Sequence, residues 1–201
     1  MAGGSSDAAV LLFGVNKMFG LGLSLKGLME RGIKIGADVP YCLMRGTALS
    51  EGIGEILTPL PPMPQCRVLI AKPSVSVSTK WVYENLHANQ LKKEQHPDID
   101  GMIQGIREGN IYAVAEKFGN VLETVTEKQY PVIGQIKEKM KAMGAINALM
   151  SGSGPTVFGL FVNPAAAQSA YEELRYGSFG GKVKQGYLKK FYNNKEVSGG
   201  G

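Results

Sequence analysis

From Ala8 to Phe19 apolar and polar residues recur at helical spacing, with Ala9, Leu12, Phe13, Asn16 and Lys17 marking the turns, and the pattern predicts a helix. A serine precedes the apolar run in the manner of an N-cap, and Asp7 falls in the first turn, where it suits the helix dipole. Ser24 is placed to cap a second helix ending at Arg31, with Gly32 at the C′ position. Thr47–Leu57, broken by Gly52 and Gly54, reads as strand, turn and strand. Four prolines then fall within the six residues from Pro59 to Pro64. They oppose helix and sheet alike, so the chain is expected to divide there, into 1–62 and 63–195.

Beyond the prolines, Val68–Ala71 reads as a short buried strand, and Ser78 or Thr79 as the cap of a helix through Leu86. His87–Asp98 is a polar loop. Helices are predicted at Asp100–Arg107, Asn110–Phe118 and Pro131–Met143, the last stopped by Gly144. Ala145–Met150 and Thr156–Phe161 read as strands joined by a tight turn, Ser151–Gly154. Pro164–Arg175 is a helix, and Lys182–Phe191 alternates as a final strand. The order strand, helices, strand, strand, helix, strand predicts an α+β sandwich. Residues 196–201 read as a flexible tail.

Composition narrows the function classes. Hydrophobic residues make up 44% and charged residues 19% of the 201, values of a folded chain long enough to bury a core. The net charge of +5 is mild. No basic run interleaves with aromatics, so nucleic acid is not an expected partner. No apolar run approaches a membrane span of about 18 residues, and no signal-peptide pattern is visible. The expected location is the bacterial cytoplasm, or the plastid if a transit peptide has been lost. Cys42 and Cys66 stand apart without a Cys/His cluster, which excludes a zinc site or disulfide framework and suggests two buried thiols. His87 and His96 read as solvated surface. Lys184, Lys189, Lys190 and Lys195 read as a charged edge.

Four segments offer chemistry, each beside a plainer reading. Gly3-Gly4-Ser5-Ser6-Asp7 opens a helix. Its glycines let backbone N–H groups approach a phosphate, with Ser5 and Ser6 hydroxyls near the phosphate or a magnesium ion; otherwise it is a serine cap behind a loose start. Gly36-Ala37-Asp38-Val39-Pro40 holds a carboxylate in an irregular, partly buried spot, as a general base or metal ligand; otherwise Asp38 caps the next helix. Ser151-Gly152-Ser153-Gly154-Pro155 is either a hairpin connection or a surface packed against another backbone or a ligand. Trp81 and Tyr83 are either core or a stacking platform for a base.

Taken in order, GGSSDAA, GADVP, the GxGE hairpin (Gly52 to Glu55) and SGSGPTVF resemble the galactokinase–homoserine kinase–mevalonate kinase–phosphomevalonate kinase family. Together with the Pro73–Tyr83 segment they resemble the branch acting on a cytidine diphosphate-linked methylerythritol. The resemblance implies a GHMP-kinase fold, with an incomplete N-terminal domain at 1–62 and a ferredoxin-like C-terminal α/β sandwich at 63–195. It implies ATP-dependent phosphorylation of the substrate's 2-hydroxyl, in non-mevalonate isoprenoid synthesis, with ATP and Mg2+ as cofactors. Gly3, Gly4, Ser5 and Ser6 would surround the ATP phosphates, and Ser5 is a candidate magnesium contact. Asp38 would be the general base. Gly152, Ser153 and Gly154 would brace the phosphate loop and border the substrate, with Thr79 beside it and Tyr83 facing the cytosine ring.

Family members carry a further segment ahead of the phosphate loop. It includes a lysine that acts with the aspartate and a tyrosine–histidine pair that grips the cytidine. The chain is therefore expected to be N-terminally truncated and an incomplete catalyst. It would expose Val10, Leu11, Leu12, Phe13 and Val15, and its first part would be poorly ordered or would associate, as a homodimer or with a partner. The alternatives are a non-catalytic interaction module of the same fold, or a family kinase for another small hydroxyl substrate.

Overall fold

Residues 2–91 and 96–193 are described in the computed structural model; the tail expected at 196–201, Lys195 and part of the loop His87–Asp98 lie outside them. The chain divides into two compact units, one running to Met63 and including Tyr192 and Asn193, the other Pro64–Phe191.

In the first unit three helices, α1 (Gly3–Met18), α2 (Leu25–Gly32) and α3 (Val39–Met44), precede a hairpin of β1 (Thr47–Glu51) and β2 (Ile56–Leu60). Ala9, Leu28, Val39 and Leu43 form the buried core, with Leu12, Leu23, Met29 and Cys42 packed around it. Asn16 joins α1 to the chain ahead of α2: its side-chain amide donates to the Leu23 carbonyl and accepts the Leu23 N–H, both at 3.0 Å. Ser24 caps α2 as expected, accepting the Gly27 N–H at 3.2 Å.

Several expectations are corrected here. α1 begins at Gly3, before either serine, and no side chain caps it; the Ala2 carbonyl already accepts the Ser6 N–H at 2.9 Å, so Ser5, Ser6 and Asp7 lie inside the helix. Gly32 is the last residue of α2, not C′. A methyl group there would stand 2.8 Å from Val39 Cγ1, so close packing of α2 on α3 explains the glycine. Pro59, expected to oppose sheet, sits within β2 opposite Ala48; β2 pairs only with β1, so the missing N–H breaks no second ladder. Cys42 is only half-buried, whereas Cys66 is buried. On α1, Val10, Leu11 and Phe13 are exposed, while Leu12 and Val15 are half-buried.

The second unit runs β3 (Arg67–Pro73), α4 (Thr79–Glu84), a 3-10 turn Ala88–Gln90, α5 (Ile99–Arg107), α6 (Ile111–Glu116), α7 (Glu123–Gln129), α8 (Val132–Ala142), β4 (Asn147–Met150), β5 (Val157–Phe161), α9 (Pro164–Tyr176) and β6 (Val183–Lys190). The sheet order is β4-β5-β3-β6, antiparallel throughout. This is the ferredoxin-like α+β arrangement. Leu69, Met150, Val157 and Phe161 of the sheet pack with Ile133, Ile136 and Met140 of α8 and Ala167, Ala170 and Leu174 of α9. Side-chain caps start four of the helices, Ser78 for α4, Asp98 for α5, Asn110 for α6 and Asn163 for α9, while α7 and α8 start without one. α7 has no counterpart in the sequence reading. Its residues ETVTEKQ are polar and β-branched, without an apolar stripe, and Thr126 alone among them is buried.

Burial raises the Cys66 thiol to about 11, partly offset by a hydrogen bond with the Phe161 backbone, which keeps it protonated and unreactive. A disulfide reagent applied to the native chain near neutral pH should modify Cys42 and spare Cys66 until urea is added. Equal rates at both thiols in the folded protein would contradict this packing.

Candidate functional site

The first turn of α1 presents the N–H groups of Gly3, Gly4 and Ser5 without partners inside the helix. That end carries the positive pole of the helix dipole. Segments distant in sequence meet it. A methyl group on Gly36 would lie 3.8 Å from Ser5 Oγ, and Ser6 Oγ is 3.6 Å from Cys42 Sγ. The hairpin turn reaches the same segment: a methyl group on Gly54 would stand 3.4 Å from the Ala37 carbonyl. Glu55 holds that turn by accepting the Ile53 N–H at 2.7 Å. GGSS, GADVP and GxGE thus converge within the first unit.

Asp38 occupies the N-cap position of α3 by its backbone, yet its side chain accepts no capping hydrogen bond. The residue is exposed, not partly buried as expected. Its neighbours Val39 and Pro40 take the buried positions. Asp38 therefore carries an accessible carboxylate on a short helix fixed at its core face.

The second unit gathers a different set. Ala71 of β3 pairs with Val157 of β5, and Val157 with Met150 of β4. The chain leaving β3 toward α4 and the turn Ser151–Gly154 therefore lie at one end of the sheet. There Thr79 Oγ1 and Ser153 Oγ are hydrogen-bonded at 2.8 Å. Ser78 has taken the capping role, which leaves the Thr79 hydroxyl for this contact. Gly152 and Gly154 adopt φ of 57° and 89°, the left-handed region that glycine enters without strain. Tyr83 is exposed, while Trp81 packs against the core, so the core reading holds for Trp81 and not for Tyr83.

Four residues at this end were not singled out by the sequence reading. Asn120 Nδ2 donates to the Met150 and Gly152 carbonyls at 2.9 and 2.8 Å. Glu123 Oε1 accepts the Met150 N–H at 2.6 Å. Thr126 Oγ1 donates to the Ser153 carbonyl at 3.3 Å. Lys137 donates to Glu123 and Glu127 at 2.6 and 2.5 Å. Burial pulls the Lys137 ammonium pKa down, and the hydrogen bonds and charges of the two glutamates outweigh it, leaving it above an ordinary lysine. No local pattern marked these residues, because α7 starts at Glu123 behind Leu122, without a side-chain cap.

Among the described residues no three His, Cys, Asp or Glu side chains cluster so as to hold a metal ion, and no helix is long and apolar enough to cross a membrane.

Comparison with known proteins gives one consistent set of neighbours. The family model for the C-terminal part of GHMP kinases matches residues 102–177. A 4-diphosphocytidyl-2-C-methyl-D-erythritol kinase of Lachnoclostridium phytofermentans is 56% identical over 197 residues, covering 98% of this chain and 66% of the relative. One from Lachnospira eligens is 56% identical, covering 96% and 65%, and one from Alkaliphilus oremlandii 49% identical, covering 96% and 64%. The chain thus spans about two thirds of the length of these relatives. The crystal structure of a 4-(cytidine 5'-diphospho)-2C-methyl-D-erythritol kinase is similar with a TM-score of 0.77 at 28% identity, covering 96% of this chain and 66% of that one. A homoserine kinase from Cytophaga hutchinsonii shares the fold, with a TM-score of 0.71 at 21% identity over 90% of this chain and 61% of its own.

The Lys137 cluster predicts a signature in denaturation. Lys137→Met leaves Glu123 and Glu127 facing each other with side-chain exposures of only 16% and 30%. The loss should be roughly 3 kcal/mol, the low end for a broken buried pair. Because the folded pKa of Lys137 is raised, its contribution is complete below the unfolded value of about 10.4. It is lost as pH climbs through the folded value. Urea midpoints near neutral and at strongly alkaline pH test both parts: the variant should be weaker near neutrality, and the gap should close at high pH. Equal midpoints near neutrality would remove the cluster from the stability account.

Proposed function

The chain belongs to the GHMP kinase family, and from that premise we propose that it is the phosphate-holding and base-bearing part of a 4-diphosphocytidyl-2-C-methyl-D-erythritol kinase. Such an enzyme transfers the terminal phosphoryl group of ATP to the 2-hydroxyl of its acceptor, in the non-mevalonate route to isoprenoids. The observation that carries the proposal is the meeting of the α1 N-terminus, with its open N–H groups, and the Gly36–Cys42 segment that bears the uncapped Asp38.

The roles follow from that arrangement. N–H groups of Gly3, Gly4 and Ser5, aided by the helix dipole, hold phosphate oxygens. The Ser6 hydroxyl adds a donor beside them. Asp38 accepts the proton of the acceptor hydroxyl as that oxygen bonds to phosphorus, and the released oxygen stays on the nucleoside diphosphate. Its exposure suits a base that must reach a substrate. Magnesium, when bound, neutralises charge on the phosphates. It takes most of its ligands from phosphate and water, so a single hydroxyl such as Ser5 fits the residues present better than a dedicated cage. Within the second unit, taken by itself, Gly152, Ser153 and Gly154 are the residues proposed to contact the acceptor, with Thr79 fixed to Ser153 and the exposed Tyr83 proposed for the cytosine ring.

The alternative reading is a non-catalytic module of the same fold. An ADP-release assay with diphosphocytidyl-methylerythritol separates the two when run on this chain and on a chain extended to its relatives' length. Turnover is expected from the extended chain, and little or none from the 201 residues alone. In the extended chain Asp38→Ala should lower kcat by roughly a hundred- to ten-thousandfold while ATP still binds. Unchanged turnover would sink the assignment of the base. Phosphorylation of homoserine or mevalonate in place of this acceptor would sink the substrate.

A further inference from the structure

The segment 120–126 belongs to none of the motifs so far given a role, yet it makes two hydrogen bonds to the glycine-rich turn and two to Met150, the residue ahead of it. The carbonyls of Met150, Gly152 and Ser153 accept from Asn120 and Thr126, and the Met150 N–H donates to Glu123. Asn120 is itself oriented, because its Oδ1 accepts the Leu122 N–H at 3.0 Å. That bond leaves both Nδ2 protons for the two carbonyls. Glu123 is oriented in turn by Lys137 on its other oxygen. Within the turn, the Ser151 N–H donates to the Thr156 carbonyl at 2.8 Å and the Gly154 N–H to the Ser151 carbonyl at 3.0 Å. The N–H groups of Gly152 and Ser153 have no acceptor among the described residues.

A glycine turn has many accessible backbone states. Here three carbonyls within four residues are each tied to one neighbouring segment, which fixes the way its peptide planes face.

We infer that Asn120 and Glu123 are positioning residues for Ser151–Gly154, Asn120 holding the Gly152 carbonyl and both residues holding Met150 just ahead of the turn, so that the turn keeps one shape toward the acceptor substrate. The part of this inference that concerns substrate rests on the kinase reading; the part that concerns the turn does not. Neither residue acts on a ligand except through the turn.

Asn120→Asp is the sharp variant, since it keeps the acceptor for Leu122 and replaces the donor facing two carbonyls with an oxygen. Asn147→Asp is the control. Asn147 donates to the Ala115 carbonyl at 2.6 Å, so the control loses a comparable hydrogen bond away from the turn. Amide exchange in the full chain is the first measurement. N120D should speed exchange at Ser151 and Gly154 by roughly tenfold or more and leave the α8 amides of Ile136 and Met140 unchanged, while N147D leaves the turn as it was. Unchanged exchange at Ser151 and Gly154 would overturn the inference. So would an equal rise throughout α8, the mark of a merely structural role.

Calorimetric titration with diphosphocytidyl-methylerythritol is the second measurement. N120D should weaken binding roughly tenfold and N147D should not. Equal affinity in N120D and wild type would overturn the link to substrate. Failure of the wild-type chain to bind this ligand would count against the kinase reading, and the exchange data would still decide the role of the turn. If N120D does not fold, N120A, which removes the donor without setting an oxygen against the two carbonyls, carries both measurements, with the same results expected.

Discussion

A lysine withdrawn from water must find compensation, and Lys137 finds it in two carboxylates. Much of the order at one end of the second unit's sheet follows from that requirement. Glu123 reaches Lys137 on α8 with one oxygen and the Met150 N–H at the end of β4 with the other. The first turn of α7 is thereby tied to a helix and to a strand at once. Breaking such a pair leaves an uncompensated charge in a poor solvent for it, so the arrangement persists as a whole or not at all. The glycine turn inherits this rigidity because it follows directly on Met150, the residue that Glu123 holds.

The first unit solves a related problem with small residues. Gly32 lets α2 meet Val39 where any Cβ would intrude, Gly54 takes a φ of 117° that side chains rarely adopt, and Gly36 packs beside Ser5. Ala9 plays the same part inside the core. The result brings the start of α1, the Asp38 segment and the hairpin turn together without a buried charge. Asp38 remains exposed. A carboxylate in that state keeps its solvation and its freedom to meet a hydroxyl.

Legibility in the sequence followed the physics of each element. β3, β5 and α9 were readable because burial on one or both faces imposes an apolar pattern, and Ser24 and Ser78 because a cap is a local event. The start of α1 was misread because two glycines and two serines look like a loop, whereas the Ala2–Ser6 bond already closes the first turn of a helix that runs to Met18. Gly32 looked like a helix stop, and its cause, Val39, lies across an interhelical contact that no local pattern records. α7 escaped because its stability comes from ion pairs and one buried threonine, not from an apolar stripe. Asn120 and Glu123 escaped with it. The ordered motifs pointed to the family, while the side chains that brace the turn are set by tertiary contacts alone.

The central place of β3 bears on how the second unit is made. β3 pairs with β5 on one side and β6 on the other, and both partners come after a long run of helices in the chain. During synthesis a strand with apolar Val68, Leu69 and Ala71 must wait, with both edges open, for nearly the whole unit to emerge. Pairings of such separation raise contact order and slow folding, and an unpaired apolar strand invites association with other chains. The architecture that gathers Thr79 and Ser153 at one end of the sheet therefore makes the nascent chain depend on protection until β6 arrives.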